Sequence, residues 1–441
     1  MTIRVRIAPS PTGYLHVGNV RTGLVNWLFA KKHKGEFFLR LDDTDQDRSR
    51  PEFAAAIEED LGWLGLKWDG FFKQSDRYAE YEAAKQKLLA NGRLYPCYET
   101  AEELEIKRKM MASRGLPPVY DRSALKLTEE QRREYEAQGR KPHYRFLLED
   151  KDIIWSDLIR GDVKFQGAHV SDPVLVREDG VPLYTLASVV DDIEYQITHI
   201  IRGEDHVSNT AVQIQIFEAL GGAPPSFGHL ALLKTKEGEL SKRKGGGDIR
   251  GLRDEGFEPM TINSYLGKIG TSDAIEPFAS LDALVASFDM KKFGRAPANY
   301  DPAEVDRLNE KLLTHMPFDQ AKSCLASLGL NQVNEAFWNS VHGNIKKMSD
   351  VSDWWKLIHE PVKGIIDDAD FIATAAALLP PEPWNENSWN EWTNAVKEKT
   401  GKKGKDLFMP LRKALTGMEH GPEMKVLFML LGRNKVLERL K

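Results

Sequence analysis

The 441-residue sequence predicts an α/β fold: a domain on a parallel sheet, split by an α+β insertion and followed by a mostly α-helical region. Three observations predict it. Strand-like and helix-like segments alternate near the N-terminus, an order that gives parallel strands with helices on both faces of a sheet. Residues 76–182 interrupt that alternation, which resumes at about Leu183. From about residue 250 to the end the apolar positions are mostly helical in spacing.

Taken in order, TIRVRIA at 2–8 alternates as a strand and stops at Pro9. From His16 to Gly35, the apolar positions Val17, Val20, Leu24, Val25, Leu28 and Phe29 recur at helical spacing. EFFLRL at 36–41 is a second strand, followed by the acidic loop DDTDQD. Pro51 opens a helix over 51–64, where a proline in the first turn sacrifices no hydrogen bond. Residues 76–140 are largely helical and charged, then HYRFLL, DIIWSDL, DVKFQG and VLVRED form short strands, with a turn at Asp179-Gly180. YQITHIIRG and a helix over 209–220 return to the first pattern.

Composition bounds the function. Hydrophobic residues make 41% and charged residues 29% of the chain, as in soluble globular proteins. No apolar run reaches the roughly 18 residues of a membrane span. The opening MTIRVRIAPS has neither a secretory apolar core nor an Arg/Ser-rich transit stretch, so a cytoplasmic location is expected. Two cysteines, Cys97 and Cys324, exclude a disulfide framework and speak against a zinc cluster. A net charge of −5 leaves any nucleic-acid contact to local positive patches.

Neither GxxxxGK[ST] nor GxGxxG after a strand occurs. The loop at 42–53 spaces Asp43, Asp45 and Asp47 like a calcium loop, but Arg48 stands at its turn glycine and Ala54 at its bidentate glutamate, so calcium is rejected. Two other segments have candidate chemistry. APSPTGYLHVGN at 8–19 joins the first strand to the first helix, the edge where open α/β sheets bind ligands and helix N-termini favour phosphate. There Gly18 gives a flat base room to approach, and His16 is a hydrogen-bond donor for a phosphate gaining charge. Taken alone, His16 is equally a helix cap. GELSKRKGGGD at 238–248 sets three cations before three glycines, either a phosphate-gripping loop or a solvated basic turn.

Together the two segments resemble the paired signature elements of class I aminoacyl-tRNA synthetases, in the same order: His16-Val17-Gly18-Asn19 and Glu239-Leu240-Ser241-Lys242-Arg243. RIAPSPTG at 6–13, LRLDDTD at 39–45, YTLASVVDD at 184–192, IIRGEDH at 200–206 and LFMPLRKALTG at 407–417 resemble the bacterial glutamyl-tRNA synthetase family. The likeness runs from Arg4 to the C-terminus. It implies a split Rossmann catalytic domain and ATP-dependent ligation of glutamate to tRNA(Glu), tRNA(Gln) or both, with Mg²⁺ accompanying ATP. It also implies a monomer; some relatives hold a zinc cluster in the insertion, but Cys97 alone cannot build one, so no zinc is expected, and the composition predicts no membrane partner. By this resemblance His16 and Lys242 are catalytic. Pro9, Thr12, Gly13, Gly18, Asn19, Ser241 and Arg243 join them around ATP. Arg6, Ser10, Asp42, Tyr184 and Arg202 bind glutamate, with Arg6 and Arg202 the paired donors its carboxylates need. Two positions depart from the family pattern: Glu239 replaces a lysine, and Asp42 stands where many relatives carry glutamate, one methylene longer.

The implied organisation is a catalytic domain in two halves, 1–75 and 183–249, around an acceptor-end-binding insertion at 76–182. A stem-contact domain at 250–320 and a helical anticodon-binding domain at 321–441 follow. Residues 391–441 hold twelve Lys/Arg against six Asp/Glu, a surplus suited to phosphate contact. Trp338, Trp354, Trp355, Trp384, Trp389 and Trp392 are candidates for stacking on bases, against the ordinary alternative of core tryptophans. No arginine lies at 340–350, where one is expected to discriminate the third anticodon base. The alternatives are a tRNA-binding paralogue without ligase activity and an enzyme like the glutamyl-queuosine tRNA(Asp) synthetases. The second lacks an anticodon-binding region, whereas this chain continues to Lys441.

Overall fold

A computed structural model describes residues 2–115, 119–167, 170–235, 238–239, 247–421 and 423–441. The first strand, β1 (Arg4–Ile7), leads into α1 (Val17–Lys32) and then β2 (Glu36–Leu41), α2 (Pro51–Trp63) and β3 (Gly70–Lys73). β1, β2 and β3 pair in parallel in that spatial order, with Arg6 opposite Phe38 and Leu39 opposite Phe71. α1 packs on this sheet through Val20, Leu24 and Leu28, none of them exposed to solvent. As expected, Pro51 stands first in α2.

The chain then forms α3 (Tyr78–Ala90), β4 (Leu94–Cys97), α4 (Ala101–Ser113) and α5 (Glu129–Ala137). β5 (His143–Phe146), β6 (Ile153–Asp157), β7 (Gly161–Phe165) and β8 (Val174–Val176) follow. β4, β5 and β8 make one antiparallel sheet. The parallel pattern returns with α6 (Tyr184–Glu194), β9 (His199–Gly203), α7 (Val207–Ala219) and β10 (Ser226–Leu230). β9 and β10 are parallel, and β10 also pairs with β6, so β6 and β7 leave the inserted stretch and complete the sheet β7-β6-β10-β9. Periodicity identifies strands; it does not name their partners. β9 lies against β1, where the Thr198 amide donates to the Arg4 carbonyl at 2.9 Å. The succession β3-β2-β1-β9-β10 is that of a doubly wound Rossmann sheet split after β3.

Three short strands have weaker sequence signals. β3, β4 and β10 have four or five residues each, and β4 contains Pro96. YQITHIIRG is also shorter as a strand than its pattern predicts. Tyr195 caps α6, and Gln196 takes φ 55° to turn the chain into β9.

The chain folds as two compact units, one of residues 1–254 and 262–302, the other of 255–261 and 303–441. The second is helical, from α8 (Pro302–Thr314) through α9 (Asp350–His359), α10 (Ala369–Ala377), α11 (Ser388–Thr400) and α12 (Lys405–Thr416) to α13 (Met424–Arg439). Its core contains Trp338, Trp354, Trp389 and Trp392, so four of the six tryptophans considered for base stacking are buried; Trp355 and Trp384 are partly buried. No helix among the described residues is long and apolar enough to cross a membrane.

Candidate active site

The C-terminal ends of β1, β9 and β10 open onto a cavity of about 640 Å³. This is the edge at which open α/β sheets bind ligands. Arg6 and Arg202, at the ends of β1 and β9, line it together with Asp42, Tyr184 and Ser10. Pro9, Thr12, Gly13, His16, Gly18 and Asn19 form the adjoining wall. Every described residue expected from the sequence to bind ATP or glutamate therefore borders one space. Ser241, Lys242 and Arg243 lie outside the described residues.

The loop between β1 and α1 is built by its cap. His16 Nδ1 accepts from the amides of Gly18 at 3.1 Å and Asn19 at 3.4 Å, satisfying donors at the helix start. With Nδ1 an acceptor, the proton of a neutral ring sits on Nε2. The cap and the phosphate donor are thus the same tautomer of one side chain. A Cβ on residue 18 would come within 2.9 Å of His16 Cε1, so Gly18 protects the cap. The Val17 amide donates to the Gly247 carbonyl at 2.7 Å and the Ile249 amide to the Leu15 carbonyl. The segment that resumes at Gly247, five residues after Lys242 in sequence, is thereby pinned beside His16.

The two arginines are held differently. Arg6 makes a bidentate bond to Asp192, both contacts 3.0 Å, with both residues buried. Arg40, fully buried in β2, bridges Asp192 at 3.1 Å and Asp42 at 2.6 and 3.2 Å. Asp191 extends the network by accepting from Arg77, Gln74 and Tyr81. Burial pushes the Asp42 carboxyl up to about 6 against the pull of Arg40 and Arg6. Arg202 instead donates to the Tyr184 hydroxyl at 2.9 Å and the Thr210 hydroxyl at 2.5 Å. Burial lowers its pKa.

Sequence reasoning does not find Arg40, Asp191, Asp192, Thr210 and His229. A signal exists for the first three, because each is a charge inside an otherwise apolar strand or helix. Thr210 and His229 carry none. Among the described residues no group of three or more His, Cys, Asp or Glu side chains is placed to hold a metal ion. Burial pushes the Cys97 thiol up to about 12, so it is protonated at neutral pH.

The sheet order, the ligand edge and the helix-capping histidine fit the class I aminoacyl-tRNA synthetase catalytic domain that the sequence resembles. Residues 2–306 match the family of class I tRNA synthetases (E and Q), catalytic domain, and residues 366–441 match an anticodon binding domain. The chain is 56% identical to glutamate–tRNA ligase 1 of Parvibaculum lavamentivorans, over 99% of this chain and 98% of that one. It is 54% identical to the glutamate–tRNA ligase of Azospirillum brasilense, over 100% and 99%. A glutamate–tRNA ligase structure from Elizabethkingia meningosepticum, in complex with its amino acid, superposes with a TM-score of 0.83 at 27% identity, covering 100% of this chain and 98% of that one. The chain belongs to the glutamyl-tRNA synthetase family.

Proposed function

We propose that this enzyme activates L-glutamate with ATP and transfers the glutamyl group to the terminal ribose hydroxyl of tRNA, using the cavity at the ends of β1 and β9. One observation carries the assignment: Arg6, Asp42, Tyr184, Arg202 and the His16 cap all border that cavity. Arg6 and Arg202 receive the two carboxylates, Asp42 the ammonium, and Ser10 and Tyr184 offer hydroxyls to the remaining oxygens. Pro9, Thr12, Gly13, Gly18 and Asn19 shape the ATP subsite, and Ser241, Lys242 and Arg243 are assigned to its phosphates by the sequence resemblance.

In the first step the glutamate α-carboxylate attacks the α-phosphorus and pyrophosphate leaves. In the second, the ribose hydroxyl attacks the mixed anhydride carbonyl and AMP leaves. Neither step needs a protein nucleophile, so positioning and charge stabilisation supply the rate. His16 donates from Nε2, and the Lys242 ammonium meets charge developing on the same phosphate. Among the described residues no side-chain cluster would hold Mg²⁺ by itself, so the ion would enter with ATP and would supply charge neutralisation for the leaving pyrophosphate.

The two catalytic halves, 1–75 and 183–249, perform this chemistry. The insertion at 76–182 receives the acceptor end, residues 250–320 contact the stem, and residues 321–441 bind the anticodon. The basic surplus at 391–441 supports the last role. The enzyme acts as a cytoplasmic monomer. Its acceptors are tRNA(Glu), tRNA(Gln) or both, and charging the two purified tRNAs side by side decides among them. The test of the whole assignment is ATP–pyrophosphate exchange dependent on both glutamate and tRNA. Lys242→Ala is expected to lower it by roughly a hundredfold. Absence of exchange in the wild-type chain favours a tRNA-binding protein without ligase activity. Exchange without charging of either tRNA favours an enzyme like the glutamyl-queuosine tRNA(Asp) synthetases.

A further inference from the structure

Behind Arg202 lies a chain of four buried side chains from four different elements. Arg202 on β9 donates to the Thr210 hydroxyl on α7 at 2.5 Å. Thr210 Oγ1 is 2.9 Å from His229 Nε2 on β10, and His229 Nδ1 is 2.5 Å from Asp157 on β6. None of the four is more than 5% exposed. Strand register sets the pairings, because His229 lies directly opposite Arg202 and Asp157 opposite Phe227.

The proton directions along this chain are determined. Burial pulls the Asp157 carboxyl up, but His229 and the amides of Arg160 and Ile159 outweigh it and hold the group at about 2, ionised and an acceptor only. Burial lowers the His229 pKa, so the ring is neutral and its proton sits on Nδ1, toward Asp157. Nε2 must then accept, from the Thr210 hydroxyl at 2.9 Å and, over a longer 3.5 Å contact, from Arg202 Nε itself, while the hydroxyl oxygen accepts from Arg202 Nη2. Every bond points from the cation to the anion. Arg202 therefore has a counter-ion, but at the far end of a relay. Among the described residues no carboxylate lies within ion-pair distance of it, in contrast to Arg6, which Asp192 grips directly.

We propose that Thr210 and His229 are positioning residues that move the counter-ion of Arg202 away to Asp157, so that the guanidinium is oriented yet left to pair with a substrate carboxylate. A carboxylate held directly on Arg202 would take donors the substrate needs, as Asp192 takes Nε and Nη2 of Arg6 and leaves Nη1 as the donor outside that pair, whereas an unpaired buried cation would be costly to fold. The relay avoids both. It rests on the assignment of Arg202 as a carboxylate receptor.

Aminoacylation by the full chain, with tRNA present and glutamate and ATP varied separately, tests this. Thr210→Val removes the hydroxyl at nearly constant shape. It is expected to raise the glutamate KM about tenfold, with kcat and the ATP KM within about twofold of wild type, because one hydrogen bond to a charged group is lost. Thr210→Ser is expected to restore the glutamate KM. An unchanged glutamate KM in Thr210→Val, or an equal rise in the ATP KM, overturns the relay. Arg202→Gln separates the two claims. If it cripples glutamate use while Thr210→Val does not, the relay fails and the receptor stands; if it leaves the glutamate KM unchanged, the receptor assignment itself fails. A readout on the wild-type chain is independent of how the variants fold. The ¹⁵N resonances assigned to His229, as distinct from those of His315, His342 and His359, whose Nδ1 atoms face backbone carbonyls, are expected to show a ring protonated at Nδ1 and bare at Nε2 across neutral pH, and a His229 ring protonated at Nε2 overturns the relay.

Discussion

The two units bury different things. Among the described residues the α/β unit buries thirteen charged side chains, Arg6, Arg40, Asp192 and Arg202 among them, whereas the helical unit buries one, Arg439. That single cation has no carboxylate partner in its bonding set. It donates to the carbonyls of Leu357, Leu415 and Glu360, near the C-terminal ends of α9 and α12, where helix dipoles favour positive charge. The helical unit is held instead by apolar packing, with Trp392 stacked on Phe428 at 5.1 Å and Trp389 edge-on to both. Buried charge is a poor way to gain stability but a good way to fix an electric field. The unit that performs phosphoryl chemistry accepts that cost; the unit assigned to RNA binding has no need to.

The strongest attempt to break this contrast is Asp192→Ala. It strips the carboxylate from Arg6 and from one side of Arg40, leaving two buried guanidiniums short of compensation. We expect a loss of about 3–5 kcal/mol in urea unfolding, together with loss of glutamate activation. A variant within about 1 kcal/mol of wild type, the size of one ordinary surface pair, would mean that the network is solvated and contributes little. The next is Trp392→Phe in the helical unit. It removes ring volume and leaves the Ala375 carbonyl without its 2.8 Å indole donor. About 1–3 kcal/mol of stability should be lost, with the glutamate KM unchanged. A shifted glutamate KM would show that the helical core also shapes the amino-acid site.

The same contrast explains what is legible in the sequence. Arg6, Asp42, Tyr184 and Arg202 are legible through the family motifs around them, RIAPSPTG, LRLDDTD, YTLASVVDD and IIRGEDH, whereas as residue types alone the two arginines read equally as surface charges. The strand order near their site follows from the alternation of elements. By contrast, pairing between distant strands leaves no local trace, which is why β6 and β7 read as part of the insertion although Asp157 and Phe227 meet in the central sheet. His229 reads as an ordinary histidine between apolar neighbours until β10 is set against β9. In the helical unit, tryptophans at helical spacing look alike whether they fill a core or await a base. Four of the six are core.

The mildest test uses pH to titrate one carboxylate in the charged unit. Asp42 has a folded-state value of about 6, above the ordinary 3.8, because burial outweighs Arg40 and Arg6, with Asp191 adding to the rise. A raised acid contributes stability that is fully present below about pH 4 and is lost as pH rises through about 6. Catalysis runs the other way, since only the ionised carboxylate pairs with a substrate ammonium. Between about pH 4 and 6 this one group should therefore favour the folded state while it disfavours glutamate binding. We expect kcat/KM for glutamate to fall about tenfold per unit below about pH 6, through KM rather than kcat. Asp42→Asn should lower the plateau and erase that limb. A limb surviving in Asp42→Asn assigns the titration to another group and removes Asp42 as the ammonium partner. If wild type shows no limb between about pH 5 and 7, Arg40 holds the carboxyl ionised throughout, and the charged unit presents a constant field to its substrate.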